Sequence, residues 1–198
     1  MKNSRCLSFV ILAIIYILAS ILGIYLSVYL PFNIYINIFL ADVIATIFVF
    51  IFSLVLKNAS VYDPYWSVQP FVIVLCLLLT HDITVPRVLA VIAVVFWAIR
   101  LTSNWAYTFG DLTHQDWRYT MLKEKTKGFY PIINFIGIHM VPTIVVFLCC
   151  LPLMYLFNQP NNFNIGTIIF FISAILSVLL QGVSDITMHR YKKNRVTP

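Results

Sequence analysis

Three residues with side chains suited to ligand binding share one helical face of a long apolar stretch. Trp97, Arg100 and Asn104 are three and four residues apart, so an indole, a guanidinium and an amide point the same way. Arginine has a rigid fork that suits phosphate or carboxylate. A charge within an apolar helix is costly and marks a functional candidate. Arg100 is therefore a candidate for substrate binding and catalysis; the structural alternatives are a pair with Asp42 or Asp116, or an arginine reaching from the helix end to the surface.

A second cluster combines an acid, an arginine and two aromatic rings in four consecutive residues, Asp116-Trp117-Arg118-Tyr119. Such a group could clamp an anionic ligand that carries a planar ring. The structural alternative, which composition alone favours slightly, is an aromatic belt at the membrane interface next to positive charges. Asp42, isolated in a long apolar run, is open to both a functional and a structural interpretation.

A third cluster combines an acid, an imidazole and an amine at helical spacing. Asp185 and His189 are four residues apart, and Lys192 follows one turn later on the same face. This arrangement could hold a nucleotide at the membrane surface, or it could be the charged flank of a membrane span. No spacing typical of a metal site occurs among the histidines or cysteines, and the cysteines are interpreted as packing thiols. His139 is predicted to form a hydrogen bond between helices, with substrate contact as the alternative.

The composition determines which elements can position these side chains. Of 198 residues, 61% are hydrophobic and only 10% are charged, with a mean hydropathy of +0.92. A soluble domain carries about 25% charged residues and cannot bury this much apolar surface. A soluble, disordered or collagen-like chain is excluded, and nucleic-acid binding is disfavoured because the net charge of +6 lies on a hydrophobic body.

The apolar runs predict an all-α bundle of six transmembrane helices in a single transmembrane domain covering 1–198. A span needs about 20 apolar residues to cross the bilayer. The predicted spans are 7–30, 34–56, 64–80, 86–109, 131–157 and 164–182, with a loop at 110–128 and a tail at 183–198.

Prolines predict several helix starts and irregularities. Asp63 is expected to cap a helix that begins at Pro64, and Pro86 and Pro131 are expected to start helices in the same way. Pro70 is expected to break the third span. The fifth span is expected to kink at its prolines, Pro142 and Pro152.

Positive charge predicts the orientation. With both termini cytoplasmic, eleven Lys and Arg residues fall on cytoplasmic segments and only Arg87 falls outside, with Arg100 inside a span. We therefore expect an integral multi-pass protein of a bacterial inner membrane or of the endoplasmic reticulum. The polar residues collect near the cytoplasmic ends of spans three, four and six. That distribution favours one cytoplasm-facing pocket over the path of a transporter or channel, whose polar residues more often lie at mid-depth in symmetric halves.

Four segments in order resemble one known family. The segment 58–67 (NASVYDPYWS) resembles the "N-A-S…D…W" signature of the uncharacterised bacterial branch of the steroid 5-alpha-reductase-like membrane family. Arg100-Leu101 and Asn104-Trp105, followed by 116–119, resemble its second signature. The tripeptide 151–153 resembles its fifth-span ending, and 182–193, with Asp185, resembles its sixth-span exit.

The resemblance implies a membrane reductase that binds NADPH from the cytosol and transfers hydride to a C=C bond of a lipid-like or steroid-like enone. By resemblance, Asp185 contacts the nucleotide and Lys192 contacts a phosphate. The cofactor-side wall would contain Asn104, Asp116, Arg118 and Tyr119. The substrate would contact Trp66, Trp97 and Arg100, and the catalytic candidates are Asp63 and Arg100. The resemblance assigns no proton donor.

The resemblance also implies a segment that this sequence does not contain. Family members continue into an Arg-His-Pro-Asn-Tyr pattern that supplies much of the NADPH site, and no Arg-His-Pro triplet occurs here. We expect the chain alone to hold NADPH poorly and to need a complementing C-terminal fragment as a partner. The lipid bilayer and a hydrophobic lipid-like substrate are the other expected partners, and nucleic acid is not expected to be one.

Two alternatives to the reductase remain open for the same scaffold. One is a non-catalytic membrane protein that binds a lipid or a partner. The other is a relative of the lipid or prenyl-cysteine methyltransferases, which S-adenosylmethionine binding would distinguish.

Overall fold

The computed structural model describes residues 4–160 and 163–195, and within them the fold is entirely helical. In this described part, six segments are long and apolar enough to cross a bilayer, which confirms the predicted all-α polytopic bundle. The elements, in chain order, are α1 (Arg5–Tyr29), α2 (Ile34–Leu56), a 3₁₀ helix (Ala59–Tyr62), α3 (Tyr65–Thr80), α4 (Val85–Thr108), α5 (Trp117–Thr126), a 3₁₀ helix (Lys127–Phe129), α6 (Tyr130–Ile133), a π-helix (Asn134–Met140), α7 (Val141–Asn158) and α8 (Ile165–Arg195).

Side-chain amides close the first helical hairpin. Asn33 caps α2 by accepting a hydrogen bond from the backbone N–H of Ile36. The buried Asn37 amide donates to the carbonyls of Ser27 and Leu30, near the end of α1. It thereby satisfies helix-end carbonyls that have no partner within their own helix, and α1 and α2 pack along each other.

The start of α3 differs from the prediction. The capping position belongs to Pro64, which makes no side-chain cap, and the Asp63 carboxylate instead accepts a hydrogen bond from Tyr119. The predicted cap is therefore wrong, because a tyrosine of the distant helix α5 bonds to the carboxylate. Pro70 does not break the helix, since α3 is continuous and packs against α1, α4 and α7. These neighbours can support a helix that lacks one internal hydrogen bond.

The fifth span is continuous from α6 through the π-helix into α7. Pro142 cannot donate a hydrogen bond to the preceding turn, and the seven residues 134–140 before Val141 adopt the wider π conformation. The N–H of Val141 accordingly bonds to the carbonyl of Ile136, five residues back. This segment turns Asn134, Ile138 and His139 into the interior. Pro86 and Pro131 lie in the first turns of α4 and α6, as predicted.

Hydrogen bonds at both ends of the bundle show that the spans alternate in direction. Arg5 at the start of α1 donates to the carbonyls of Ala106 and Tyr107 at the end of α4, and His189 near the end of α8 bonds to Asn104. At the opposite end, Arg87 of α4 donates to the carbonyl of Gln159, which follows α7. We call the first of these the charged end; it comprises the starts of α1 and α3, the ends of α4 and α8, and α5.

The helices α1, α2, α3 and α7 hold the two apolar cores, and α8 packs chiefly against α4. Most side chains of α8 are exposed on the bundle, and the helix continues to Arg195, beyond the span end expected at residue 182. The expected loop at 110–128 contains the short helix α5.

Candidate functional site

A single buried amide joins two loops at the charged end. Asn58, which is 3% exposed, donates from Nδ2 to the carbonyls of Leu112 at 3.0 Å and His114 at 3.1 Å. Its Oδ1 accepts from the N–H of Ser60 at 2.9 Å. Asn58 thereby connects the turn before α3 to the loop after α4, which are more than 50 residues apart in sequence.

Two further bonds strengthen this connection. The side chain of Gln115 accepts from the N–H of Ala59 at 3.0 Å, and the hydroxyl of Ser60 accepts from the N–H of Asp116 at 3.0 Å. The residues of the "N-A-S" signature therefore pack directly against the second signature. Two motifs that are far apart in sequence therefore form one structural unit.

This unit borders a polar cavity of about 480 Å³, which we call the chamber. The walls include one tryptophan and one threonine of α4, Trp105 and Thr108, and the residues Gly137 and Ile138 of the π-helix. Five residues predicted from the sequence lie together here: Asp63, Trp66, Asp116, Arg118 and Tyr119.

Two acid–partner pairs set the charge of the chamber. The Tyr119 hydroxyl donates to Asp63 Oδ1 at 2.9 Å. The Arg118 guanidinium contacts both oxygens of Asp116, at 2.9 Å from Nε to Oδ1 and 2.8 Å from Nη2 to Oδ2. This bidentate contact holds the pKa of the Asp116 carboxyl below its usual range, so that the acid is ionised at neutral pH. The Arg118 side chain is 61% exposed and can therefore reorient toward a ligand.

An apolar cavity of about 750 Å³, which we call the cleft, lies between α4, α7 and α8. Small side chains such as Ala90, Ala93 and Ala174 make room for it, and Trp97 lines one side. The thiols Cys149 and Cys150 also face the cleft, and both are free. The cleft has the size of a typical small-molecule site.

The chamber and the cleft follow one another along three helices that line both of them, α3, α4 and α7. At about 1.5 Å per residue, their lining residues are roughly 6 Å apart on α3, roughly 12 Å on α4 and roughly 10 Å on α7. The pairs, with the chamber residue first, are Trp66 and Pro70 on α3, Trp105 and Trp97 on α4, and Pro142 and Cys149 on α7. A polar site at the charged end thus lies one to two turns from an apolar site deeper in the bundle.

Arg100 lies outside the lining of both cavities. Its guanidinium forms an ion pair with Asp185 of α8, which corrects the expected structural partners Asp42 and Asp116. One turn further along both helices, His189 Nε2 lies 2.7 Å from Asn104 Oδ1. These two polar pairs, which we call the ladder, connect α4 to α8.

The residues that the resemblance assigns to a cofactor or a substrate do not all lie in one cavity. Asn104 and Asp185 are bonded across α4 and α8 and do not line the chamber. Lys192 is exposed further along α8. Trp97 lies in the cleft, and Trp66 lies in the chamber.

A chain of buried hydroxyl groups runs through the bundle and was not found from the sequence. The Tyr65 hydroxyl donates to Asp42 Oδ1 at 2.6 Å, and Thr46 donates to Tyr65 at 2.8 Å. Because Thr46 gives its one proton to Tyr65, it accepts from Thr143 at 2.7 Å, and Thr143 accepts from Tyr62 at 2.7 Å. The Thr143 proton is shared with a second acceptor, the carbonyl of His139 at 2.9 Å. We call this series the hydroxyl relay. It leads from Tyr62, next to a chamber residue, to the fully buried Asp42.

Only part of the relay had a sequence signal. Asp42 and Thr46 are four residues apart on α2, a spacing that indicates a shared face. Thr143 comes from a distant span, and nothing in the sequence pairs it with these residues. The predicted interhelical hydrogen bond of His139 is wrong: its Nδ1 lies 3.0 Å from the carbonyl of Asn134 in its own π-helix, and its ring packs against Tyr62. The π-turn places that carbonyl within reach of the imidazole.

Replacing Asn58 tests the connection between the two loops. We expect Asn58→Ala to lower the free energy of unfolding by about 2–3 kcal/mol, because buried carbonyls lose their donor. Unfolding in mixed detergent micelles measures the change. Asn33→Ala is the matched control, since it removes one exposed helix cap and should cost about 1 kcal/mol. Equal losses for the two variants would contradict the role of Asn58.

A double-mutant cycle tests the ladder. We expect Arg100→Ala and Asp185→Ala each to destabilise the protein and the double variant to cost about 1–2 kcal/mol less than the sum, because each single variant leaves a charge without its partner. The measurement is the same unfolding assay. Strict additivity would show that the ion pair does not stabilise the bundle.

The comparisons with known proteins identify a family and no activity. No curated protein and no solved structure matches the chain. One family profile, described as "Protein of unknown function (DUF1295)", matches residues 49–197. The matched region contains the loops joined by Asn58, the chamber, the cleft and the ladder, and it covers about three quarters of the chain. The chain belongs to this family of uncharacterised proteins.

Proposed function

We propose that the chain takes part in the NADPH-dependent reduction of a C=C bond in a lipid-like enone, as the resemblance to the steroid 5-alpha-reductase-like proteins implies. One observation carries the proposal: a polar chamber and an apolar cleft lie one to two turns apart on the same three helices. A polar cofactor and an apolar substrate need that pair of environments.

The cleft suits the substrate. It lies among spans that contact the bilayer, and its lining from α4, α7 and α8 is almost entirely apolar. An elongated hydrophobic molecule could enter it from the lipid and keep its apolar surface away from water. Gln181 of α8 is a polar group in the lining that could orient a carbonyl.

The chamber fits the nicotinamide end of NADPH. Trp66, Trp105 and Tyr119 offer aromatic surfaces for a planar ring, and Asp63 offers a carboxylate to a carboxamide N–H. NADPH, when bound, supplies hydride. The predicted orientation would open the chamber to the cytosol, where the cofactor is available.

Arg118 is the residue best placed to hold a phosphate. Its guanidinium already makes a planar two-point contact with Asp116, and phosphate offers the same geometry. Because the side chain is mostly exposed, it could exchange Asp116 for a phosphate with little loss of packing. The proposed cofactor site leaves out Asn104 and Asp185, since their polar atoms are bonded in the ladder.

Saturating a C=C bond requires a proton as well as a hydride, and we propose the hydroxyl relay as the proton's route. Asp42 would hold a proton at one end. The hydrogen bonds described above donate toward Asp42, so delivery to the chamber requires every hydroxyl of the relay to turn. A protonated Asp42 would then donate to Tyr65; the hydroxyls of Tyr65, Thr46 and Thr143 would each pass a proton on, and Tyr62 would release one toward the chamber. The oxygen–oxygen distances of 2.6–2.8 Å along the relay are typical of well-formed O–H···O hydrogen bonds.

Binding of NADPH tests the cofactor site. We expect the chain in lipid nanodiscs, alone or with the family's C-terminal segment supplied as a second polypeptide, to enhance NADPH fluorescence. Arg118→Gln should weaken binding about tenfold, which is about 1.4 kcal/mol, because a charged phosphate partner is lost. Arg190→Gln removes the same charge from the exposed end of α8 and should leave binding unchanged. Absence of binding in both samples would contradict the proposal.

A single hydroxyl tests the proton route. Tyr62→Phe keeps the ring that stacks on Tyr65 with centroids 4.6 Å apart and removes only the oxygen. We expect the reduction rate to fall at least tenfold and the solvent deuterium isotope effect to rise, because proton delivery becomes limiting. Tyr16→Phe is the control, since it removes a buried hydroxyl outside the relay. An unchanged isotope effect in Tyr62→Phe would exclude this route.

The ladder favours a second candidate, a lipid-binding protein without catalysis. Four of the polar residues that the sequence associates with chemistry or ligand binding, Arg100, Asn104, Asp185 and His189, are paired with one another. Their contacts are sufficient to explain why they lie in the bundle. Co-purification of a lipid in the cleft, together with no affinity for NADPH under either condition above, would favour this candidate.

A further inference from the structure

The lysines that follow the chamber differ from the arginines of the bundle. Arg87, Arg100 and Arg118 each bond to carbonyl or carboxylate oxygens. By contrast, among residues 4–160 and 163–195, no carboxylate lies within ion-pair distance of Lys123, Lys125 or Lys127. These three ammonium groups are close in sequence and exposed. Charge that folding does not neutralise is available to a ligand outside the protein.

Large, exposed apolar side chains accompany these lysines. Trp117 is 70% exposed, Phe129 is 72% exposed and Met121 is 40% exposed. Trp117, Met121 and Lys125 follow each other at four-residue spacing along α5, so they share one face. No residue of α5 is buried. The helix therefore presents aromatic and basic groups together.

The position of α5 places this surface at the level of the membrane interface. The helix lies between the end of α4 and the start of the fifth span, at the charged end. Spans that enter and leave the bilayer on either side keep a short connecting helix near the headgroups. Aromatic rings favour that depth, and lysine side chains can reach from it to phosphate.

The backbone at Lys127 gives a second observation. Lys127 has φ 46°, in the left-handed region, where the chain turns from α5 into the next 3₁₀ helix. Glycine adopts this conformation far more easily than lysine, and glycine follows directly at position 128. The turn geometry does not favour lysine, so the positive charge of Lys127 is the property that can explain its presence there.

We propose that the segment 117–129 is a binding surface for the headgroups of acidic phospholipids in the surrounding membrane. Trp117, Met121 and Phe129 would enter the interface, and Lys123, Lys125 and Lys127 would contact the lipid phosphates. This inference does not depend on the proposed reductase activity. Acidic lipid, rather than nucleic acid or an acidic protein, is the fitting partner because exposed indole and phenyl groups accompany the charge at bilayer level.

The test uses the full chain in nanodiscs that contain phosphatidylglycerol and phosphatidylcholine. Spin-labelled lipids of each kind report the fraction held at the protein surface. We expect phosphatidylglycerol to be preferred at least tenfold at low salt and the preference to fall at high salt, since each lysine near an acidic surface contributes up to about fivefold. Lys123→Gln/Lys125→Gln/Lys127→Gln should abolish most of this preference.

A matched variant separates a site from net charge. Arg190→Gln/Lys192→Gln/Lys193→Gln removes three charges from exposed positions of α8 and should keep most of the preference. Lys127→Gly should weaken lipid preference about threefold to fivefold and also raise thermal stability, because it removes a charge and relieves the turn. No preference in the wild-type chain, or equal losses in the two triple variants, would overturn the proposal.

Discussion

The Asn58 amide is the contact on which the arrangement of the chamber depends. It supplies two donors and one acceptor to backbone groups of two loops that meet at the end of the bundle. Backbone groups at such a boundary lack the internal partners of a helix, so a side chain must satisfy them. Once the loops are joined, Tyr119 reaches Asp63, and the start of α5 is fixed against the start of α3.

The same requirement explains why so many polar side chains inside the spans are paired. A polar group in an apolar interior is costly unless it is hydrogen-bonded. The hydroxyl relay meets this condition because each hydroxyl donates to the next oxygen, and the Asp42 carboxylate accepts the final hydrogen bond. The carboxylate Oδ2 of Asp42 and the imidazole Nε2 of His139 remain without a hydrogen-bond partner among the described residues. Among the same described residues, Arg100 Nε, Tyr130 Oη and Asn134 Oδ1 are also buried without a partner. An additional polar molecule could satisfy any of these five atoms.

The sequence predicts the class and the spans because length and hydropathy are local properties. The resemblance divides Asp63 and Trp66, at a substrate end, from Asp116, Arg118 and Tyr119, in a cofactor-side wall. The structure brings these five into one chamber, since each lies beside the end of a span. Prediction from the sequence fails wherever the result depends on which helix faces which. The partner of Arg100, the fate of the Asp63 carboxylate and the link from Thr143 to Thr46 all require the packing of distant spans. The aromatic and hydroxyl residues of the relay are common core residues, so their types alone gave no signal.

The ladder gives Arg100 a role that needs no contact with a ligand. The helix α8 forms one wall of the cleft, yet it packs chiefly against α4 and buries few of its side chains. Apolar contacts alone distinguish poorly between α8 and surrounding lipid, because both are hydrocarbon. An ion pair and an imidazole–amide bond, one turn apart on both helices, instead specify a single rotation and height of α8. The shape of the cleft therefore depends on Arg100 and Asn104, so a substitution there would alter the cleft from outside both cavities.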